Sequence, residues 1–225
     1  MQELEKDLHA EASAMGCKAF AVADCETLRD RYAEALDLVT GPFARAVVVG
    51  MRLQRAVLTD VEDAPTPLYF HHYRQLNYQL DRLALRLADI LQDHGYEGLA
   101  IPASQIIRRD PMRGHVSHRL LGWWGGIGFL GRNNLLVHPV YGAQMRYVSV
   151  LTDAPLAAGV PHEGSCGTCM ACLKACPAGA IGESSEAFDL DACYGKLCEF
   201  VRLRFVGQHI CGVCVRACAG GACHG

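Results

Sequence analysis

Four cysteines stand close together in the stretch CGTCMACLKACPAGA, residues 166–180. Cys166, Cys169, Cys172 and Cys176 follow the spacing C-x2-C-x2-C-x3-C, and Pro177 comes directly after the last of them. In two-cluster iron–sulfur proteins, three thiolates at this spacing bind one cubic cluster while the fourth binds the other cluster. The stretch therefore predicts three ligands of one 4Fe–4S cluster and one ligand of a second.

The remaining ligands are expected further along the chain, in the stretches FDLDACYGKLCEF and CGVCVRAC. By the same crossed arrangement, the first cluster takes Cys166, Cys169, Cys172 and Cys218. The second cluster takes Cys176, Cys211, Cys214 and either Cys193 or Cys198. Cys223, in the terminal GGACHG, is interpreted as a thiol that binds no metal.

Zinc is the main alternative, because two C-x-x-C pairs can form a tetrahedral site of four thiolates. Such a site leaves Cys172, Cys176 and Cys218 without a role. Disulfides are typical of exported proteins, and the start of the chain, MQELEKDLHAEASAMG, has neither the basic end nor the apolar run of an export signal. The longest uncharged apolar run has 11 residues, fewer than the roughly 20 that span a bilayer. We therefore expect a cytoplasmic protein without a membrane partner.

Composition divides the chain into two parts. Ten of the 12 cysteines lie after residue 158, and a short segment so rich in thiols is expected to need metal to fold. The Pro-, Gly- and Ala-rich stretch APLAAGVPHEG is the expected boundary. We predict domains at residues 1–158 and 159–225. The net charge of −3 lacks the basic excess that is typical of nucleic-acid binding.

The first domain is predicted to alternate helices and strands, which indicates an α/β fold. Helices are expected at residues 1–16, at ETLRDRYAEALDLV and from Pro67, after a capping Thr66, to about Gly95. Leu76, Leu80, Leu83, Leu87 and Leu91 would form the buried face of the long helix. The apolar runs CKAFAVA, RAVVVGM, EGLAI, NLLVH and RYVSVL are predicted to be strands.

A glycine motif, GIGFLG at Gly126, Gly128 and Gly131, fits the G-x-G-x-x-G pattern of dinucleotide-binding folds. That function needs a strand before the glycines and a helix after them. Here a helical pattern precedes the motif and a strand-like segment follows it, so we do not expect a dinucleotide site. The glycines are expected to allow close approach of a neighbouring strand or of a flat ligand.

Taken together, GIGFLGRNNLLVHPVYGAQMRYVSVLTDAPL, the cysteine stretch, FDLDACYGKL and CGVCVRAC resemble the epoxyqueuosine reductases and their relatives, the reductive dehalogenases. The resemblance implies a nitroreductase-like domain that binds cobalamin, followed by a ferredoxin-like module with two 4Fe–4S clusters. It favours Cys193 over Cys198 as the second cluster's ligand. It also implies that Gly126, Gly128, Gly131, Arg132, Asn133 and Asn134 border the cofactor.

In that family an acidic proton donor precedes the glycines by about fourteen residues. This count falls on Met112, so Asp110, His115 and His118 are all candidates for the catalytic acid. The C-terminal helical repeats with which longer relatives bind tRNA have no counterpart, so tRNA is not expected as a partner. The expected function is reduction of a small substrate by an iron–sulfur enzyme. This enzyme would receive its electrons from a ferredoxin- or flavodoxin-type protein. The alternatives are an electron carrier without enzymatic activity and a protein that reduces the corrinoid of a partner.

Overall fold

The computed structural model describes residues 2–36, 39, 41–110 and 112–220. Its helices are α1 (Gln2–Ala14), α2 (Cys25–Arg31), α3 (Arg55–Leu58), α4 (Pro67–Asp93), α5 (His118–Trp124), α6 (Ala171–Ala175), α7 (Leu190–Arg202) and α8 (Val213–Ala217). Its strands are β1 (Ala19–Asp24), β2 (Arg45–Arg52), β3 (Gly98–Ile101), β4 (Arg108–Arg109), β5 (Met112–Arg113), β6 (Phe129–Leu130), β7 (Leu136–Val137) and β8 (Met145–Thr152).

The chain forms two compact units, each assembled from separate segments. The sheet unit comprises Met1–Met51, Asn77–Ile127 and Arg146–His162. The cysteine unit comprises Arg52–Leu76, Gly128–Met145 and Glu163–Gly225. The boundary expected at residues 158 and 159 lies near the last crossing between the units. The sequence did not indicate that two earlier segments, 52–76 and 128–145, also belong to the cysteine unit.

A four-stranded sheet, in the order β1-β2-β8-β3, organises the sheet unit. Strand β1 pairs antiparallel with β2, placing Ala19 opposite Gly50, and β3 pairs antiparallel with β8, placing Gly98 opposite Thr152. The two central strands are buried along almost their whole length, which explains their continuous runs of apolar and β-branched residues. The α/β character predicted for this part of the chain is confirmed.

The long helix α4 has the ends that its sequence predicts. Thr66 Oγ1 accepts a hydrogen bond from the backbone N–H of Tyr69 at 3.1 Å, as an N-cap residue does. Gly95, just beyond the helix, has a φ of +83°, a conformation that glycine adopts without strain. The predicted inner face is buried at Leu80, Leu83, Leu87 and Leu91, and Leu76 is partly buried.

The helix predicted over ETLRDRYAEALDLV is shorter than expected. Helix α2 ends at Arg31, Tyr32 adopts φ −138° and ψ 66°, and a 3-10 helix follows at Ala33–Ala35. The backbone N–H of Tyr32 still donates to Leu28 O, but its dihedral angles lie outside the helical region. Residues 37 and 38 of the prediction lie outside the described residues.

The cysteine unit has a small apolar core of its own. Segment 52–76 contributes Leu53, Val57, Leu58, Val61, Tyr69 and Tyr73, while the C-terminal segment contributes Phe200, Val206, Ile210 and Val213. This explains how a segment so rich in cysteine is supported, because residues over a hundred positions earlier supply more than half of the core. Among the described residues, no helix is both long enough and apolar enough to cross a bilayer.

Candidate functional site

Two short helices of the cysteine unit carry cysteines at matching positions. Helix α6 has Cys172 as its second residue and Cys176 as its C-cap, while α8 has Cys214 as its second residue and Cys218 as its C-cap. In both C-caps, the cysteine N–H donates to the carbonyl oxygen three residues earlier. The two helices pack against each other. The unit thus contains two equivalent cysteine-bearing helices.

The first group of thiols surrounds the start of α6. Burial raises the pKa of Cys172, and the neighbouring Cys166 and Cys169 raise it further. The backbone N–H of Cys169 donates to the carbonyl oxygen of Cys166 at 2.9 Å, which closes the loop between them. Three of the four ligands predicted for the first cluster are therefore adjacent in space.

The second group gathers thiols from three parts of the unit. Burial and then Cys176 raise the pKa of Cys193. Burial is also the main reason why the pKa of Cys211 rises to about 11, with Cys193 and Cys176 among the further causes. The pKa of Cys214 is raised in the same way by burial and then by Cys211 and Cys193. These four thiols are close enough to affect one another's ionisation.

Cys193 and Cys198 both lie on α7, which begins with Asp189 accepting a hydrogen bond from the N–H of Ala192 at 2.9 Å. Five positions along an α-helix correspond to a rotation of about 140° and a rise of about 7.5 Å. The two thiols therefore point in different directions, and it is Cys193 that influences Cys211 and Cys214. This position supports the choice of Cys193.

Cys218 is placed by backbone bonds with segment 128–145. Its carbonyl oxygen accepts from the N–H of Ala143 at 3.0 Å, and Gly142 packs so closely that a Cβ there would collide with the same carbonyl. By the equivalence of α6 and α8, Cys218 corresponds to Cys176. Its assignment to the first cluster stays a prediction. Cys223 lies outside the described residues.

The chemistry of these donors fits iron–sulfur clusters. Burial raises the pKa of Cys172, Cys193, Cys211 and Cys214, so a bound cation is needed to stabilise several thiolates at such close quarters. Among the described residues, no three His, Cys, Asp or Glu side chains converge on a point where they would hold a single metal ion. The thiolates of a cubane bind four different iron atoms, so its ligands stand further apart than those of one ion.

Arg132 holds the loop of the first cysteine group. Its Nη1 donates to the carbonyl oxygen of Cys169 at 3.0 Å, and its Nη2 donates to that of Gly167 at 2.9 Å. A cleft of about 290 Å³ lies beside this loop and is lined by residues that include Cys166, Glu183 and Glu186. The sequence indicated Arg132 as a ligand-binding residue but did not indicate this contact with the cysteine loop.

Two glycines of GIGFLG, Gly126 and Gly128, face the protein's own backbone. A Cβ on Gly128 would collide with the carbonyl of Val137 in β7, which pairs with β6. A Cβ on Gly126 would stand 2.8 Å from Val160 O. The expected close approach to a neighbouring strand is confirmed at Gly128. Helix α5 precedes the motif, β6 lies within it and β7 follows it, so the flanking elements are those that argued against a dinucleotide site.

Gly131 lies beside the first cysteine group. A Cβ there would stand 2.6 Å from Val137 Cγ2, 2.9 Å from Asn133 Oδ1 and 3.6 Å from Cys166 Sγ. Asn134 has a φ of +57° at the turn that follows. The roles predicted for Gly126, Gly128, Gly131 and Asn134 in cofactor binding stay predictions.

The three candidate acids occupy different settings in the sheet unit. Asp110 is exposed in the turn between β4 and β5. His115 is partly buried, and its Nδ1 is buried with no hydrogen-bond partner among the described residues. The His118 ring nitrogens lie 2.8 Å from Ser149 Oγ and 2.9 Å from Pro102 O. Asp110 is therefore open to solvent, His115 has a ring nitrogen that is unpartnered among the described residues but buried, and both nitrogens of His118 are occupied within the protein.

A polar network around His118 was not indicated by the sequence. Arg146 donates from Nε to Asn77 Oδ1 and from Nη2 to Ala103 O, both at 3.1 Å, and Asp81 Oδ1 accepts from Ala103 N at 2.7 Å. Ser149 is fully buried in β8. The one available signal was a serine in the middle of the apolar run RYVSVL. These hydrogen bonds hold Pro102 and Ala103, which begin the segment that carries Asp110.

No protein-family model matches the chain. It is 38% identical over 68 residues to the epoxyqueuosine reductase of Bacillus subtilis, a match that covers 30% of this chain and 18% of that protein. The fold is similar to an epoxyqueuosine reductase solved with an epoxyqueuosine-modified tRNA-Tyr stem loop, at TM-score 0.64, 20% identity and coverage of 96% of this chain and 65% of that one.

It is also similar to a reductive dehalogenase whose structure suggested a mechanism for B12-dependent dehalogenation, at TM-score 0.72 and 16% identity. That match covers 94% of this chain and 31% of the dehalogenase. The matched stretch spans about a fifth of the curated relative's length. The chain is thus similar to the epoxyqueuosine reductases in local sequence, and in fold it is similar to both these enzymes and the reductive dehalogenases.

Proposed function

We propose that the protein is an iron–sulfur oxidoreductase similar to epoxyqueuosine reductase. Its cysteine unit would hold two 4Fe–4S clusters, the first on Cys166, Cys169, Cys172 and Cys218 and the second on Cys176, Cys193, Cys211 and Cys214. When bound, such clusters accept and release single electrons. A ferredoxin- or flavodoxin-type protein would supply those electrons, and a small substrate would be reduced.

The observation that carries this proposal is the pair of equivalent helices α6 and α8. Each places one thiol inside its first turn and another at its C-cap. The crossed ligand pattern of two-cluster proteins needs this repetition, because each cysteine stretch supplies two or three ligands of one cluster and one ligand of the other. A single zinc site binds four thiolates, so it would leave Cys172, Cys176 and Cys218 without a role.

Cobalamin is proposed as the electron acceptor on the likeness in fold to the B12-dependent dehalogenase. The residues predicted to border it do not form an open cradle. Gly126 and Gly128 are covered by protein backbone, and the Arg132 guanidinium is bonded to the cysteine loop. No reaction step is therefore assigned to a corrinoid through these residues.

Asp110 and His115 are the proposed proton sources for the reduction. A general acid must keep a proton within reach of the reacting group, and Asp110 is exposed while His115 has a ring nitrogen with no partner among the described residues. His118 is instead proposed to position this segment, since Ser149 and Pro102 occupy its ring nitrogens.

Anaerobic reconstitution tests the proposal. The full chain, rebuilt with iron and sulfide, should carry about eight irons and eight sulfides in two cubanes and show the brown absorbance of these clusters. A colourless protein that retains zinc would overturn it. Addition of cobalamin, followed by its visible spectrum, then tests the acceptor: stoichiometric binding supports the reductase, and no binding with intact clusters would favour an electron carrier.

The substrate is tested separately. The tRNA stem loop is a ligand of the structural neighbour, and this chain has a net charge of −3. We expect weak binding of that stem loop, with a small substrate reduced in its place. Tight, saturable binding of the epoxyqueuosine stem loop and its reduction would replace the small-substrate proposal with the neighbour's own substrate.

A further inference from the structure

Asn133 presents a buried hydrogen-bond donor that the described protein leaves unused. The residue is 3% exposed, and its Nδ2 has no hydrogen-bond partner among the described residues. Its Oδ1 accepts from the backbone N–H of Leu135 at 3.3 Å, which determines which end of the carboxamide is the oxygen. A buried donor without a partner is unfavourable because it has lost its hydrogen bonds to water, so a partner outside the polypeptide is expected.

The carboxamide of Asn133 lies next to the first cysteine group. Asn133 Oδ1 and Cys166 Sγ are both within 4 Å of the point where a Cβ of Gly131 would stand, at 2.9 and 3.6 Å. Gly131 itself lacks the side chain that would separate them. The unused donor is thus close to a predicted ligand of the first cluster, within the same compact unit.

The neighbouring residue adds a positive charge at the same place. Two nitrogens of the Arg132 guanidinium bind the carbonyl oxygens of Gly167 and Cys169, within the loop from Cys166 to Cys169. Its third nitrogen, Nε, is buried without a partner in the described part of the chain. A cation and an unused N–H group thus accompany the Asn133 donor at this loop.

We propose that Asn133 and Arg132 tune the first cluster by stabilising its reduced form, and this rests on the clusters proposed above. Reduction adds one electron, taken from the donor protein, and hence one negative charge, while no covalent bond forms or breaks. Hydrogen bonds to cluster sulfur and nearby positive charge stabilise that added charge. Asn133 Nδ2 would donate to a sulfur atom, and Arg132 would hold the loop and supply the charge. The first cluster would thereby gain a higher reduction potential.

The test is a potentiometric titration of the reconstituted full chain, followed by electron paramagnetic resonance. Asn133→Ala should lower the midpoint potential of one cluster, so that its reduced-to-oxidised ratio at a fixed potential falls by about tenfold (~59 mV for one electron). The other cluster should be unchanged. Arg132→Gln should shift the same cluster in the same direction. Arg204→Gly is the control, because it removes a positive charge from an exposed position of the same unit and glycine accepts that residue's positive φ; it should leave both potentials unchanged.

Unchanged potentials in Asn133→Ala and Arg132→Gln, with full iron content, would overturn the inference and leave the proposed clusters standing. A wild-type chain without clusters would instead overturn the proposed function. A second measurement avoids variants that fail to assemble. The chain has three asparagines, Asn77, Asn133 and Asn134, so ¹⁵N labelling of asparagine side chains allows hyperfine coupling to the reduced cluster to be sought. Absence of that coupling in the wild-type protein would refute donation by Asn133.

Discussion

His118 Nε2 lies 2.9 Å from the carbonyl oxygen of Pro102 and so joins the two ends of segment 102–118. A carbonyl oxygen only accepts, so Nε2 carries the ring proton and Nδ1 accepts from Ser149 Oγ. Asp110 lies in the turn of this segment. The bond therefore closes the base of a loop, as in the surface loops that often carry functional residues.

This contact predicts a pH-dependent stability. Burial of the ring lowers the pKa of His118 to about 4, against the opposing effect of the Pro102 carbonyl. The unfolded chain then binds more protons than the folded one between about pH 6.5 and pH 4. Stability from neutral His118 is complete above pH 6.5 and is lost as the pH falls through this range, by on the order of 3 kcal/mol.

Thermal unfolding of anaerobically prepared protein checks this expectation. The unfolding midpoint of the wild type should fall more steeply from pH 7 to pH 5 than that of His118→Gln, whose side chain keeps an N–H donor but does not titrate. Parallel curves for the two proteins would show that His118 is not buried in its neutral form.

The second prediction concerns the ligands on α7. Cys193→Ser should lower the iron content and remove most of the signal of one cluster, because Cys193 lies with Cys176, Cys211 and Cys214. Cys198→Ser is the control on the same helix and should keep about eight irons. Iron and sulfide analysis after reconstitution is the measurement. Loss of iron in Cys198→Ser alone would reverse the assignment.

Close packing at Gly128 gives the third prediction. Gly128→Ala should destabilise the protein by about 1–3 kcal/mol, because the added Cβ collides with the Val137 carbonyl. Gly195→Ala provides the contrast, since a Cβ at this position in α7 meets no atom within 4 Å. It should stabilise the helix by about 0.5–1 kcal/mol. The midpoint of unfolding measures the effect of each substitution. Equal shifts for Gly128→Ala and Gly195→Ala would contradict the close packing at Gly128.

The fourth prediction tests the proton source. In a reductase assay that the wild type supports, Asp110→Asn or His115→Gln should lower kcat by about 10²–10⁴-fold, without changing the iron content or the cluster spectrum. The loss should be smaller at acidic pH if solvent replaces the missing acid. Normal turnover in both variants would remove these residues from the mechanism.

Much of the local structure was predictable from the sequence. The caps and leucine face of α4 follow from Thr66, Pro67 and Gly95, because capping and periodicity act within a few residues. The end of α2 at Arg31 was not predicted. The residues after it, YAEALDLV, have good helical propensity, and such local preferences are weak enough for tertiary contacts to override.

The sequence by itself determined which cysteines stand at a cluster-binding spacing. The thiol spacing is a local property, since three cysteines within seven residues can wrap one cluster whatever surrounds them. The tertiary structure decided which distant groups lie near them: it brought Cys193, which the family resemblance had favoured, close to Cys214, and it laid Arg132 and Asn133 against the Cys166 loop. These contacts depend on how segments far apart in the chain fold back on one another, which no short-range pattern encodes.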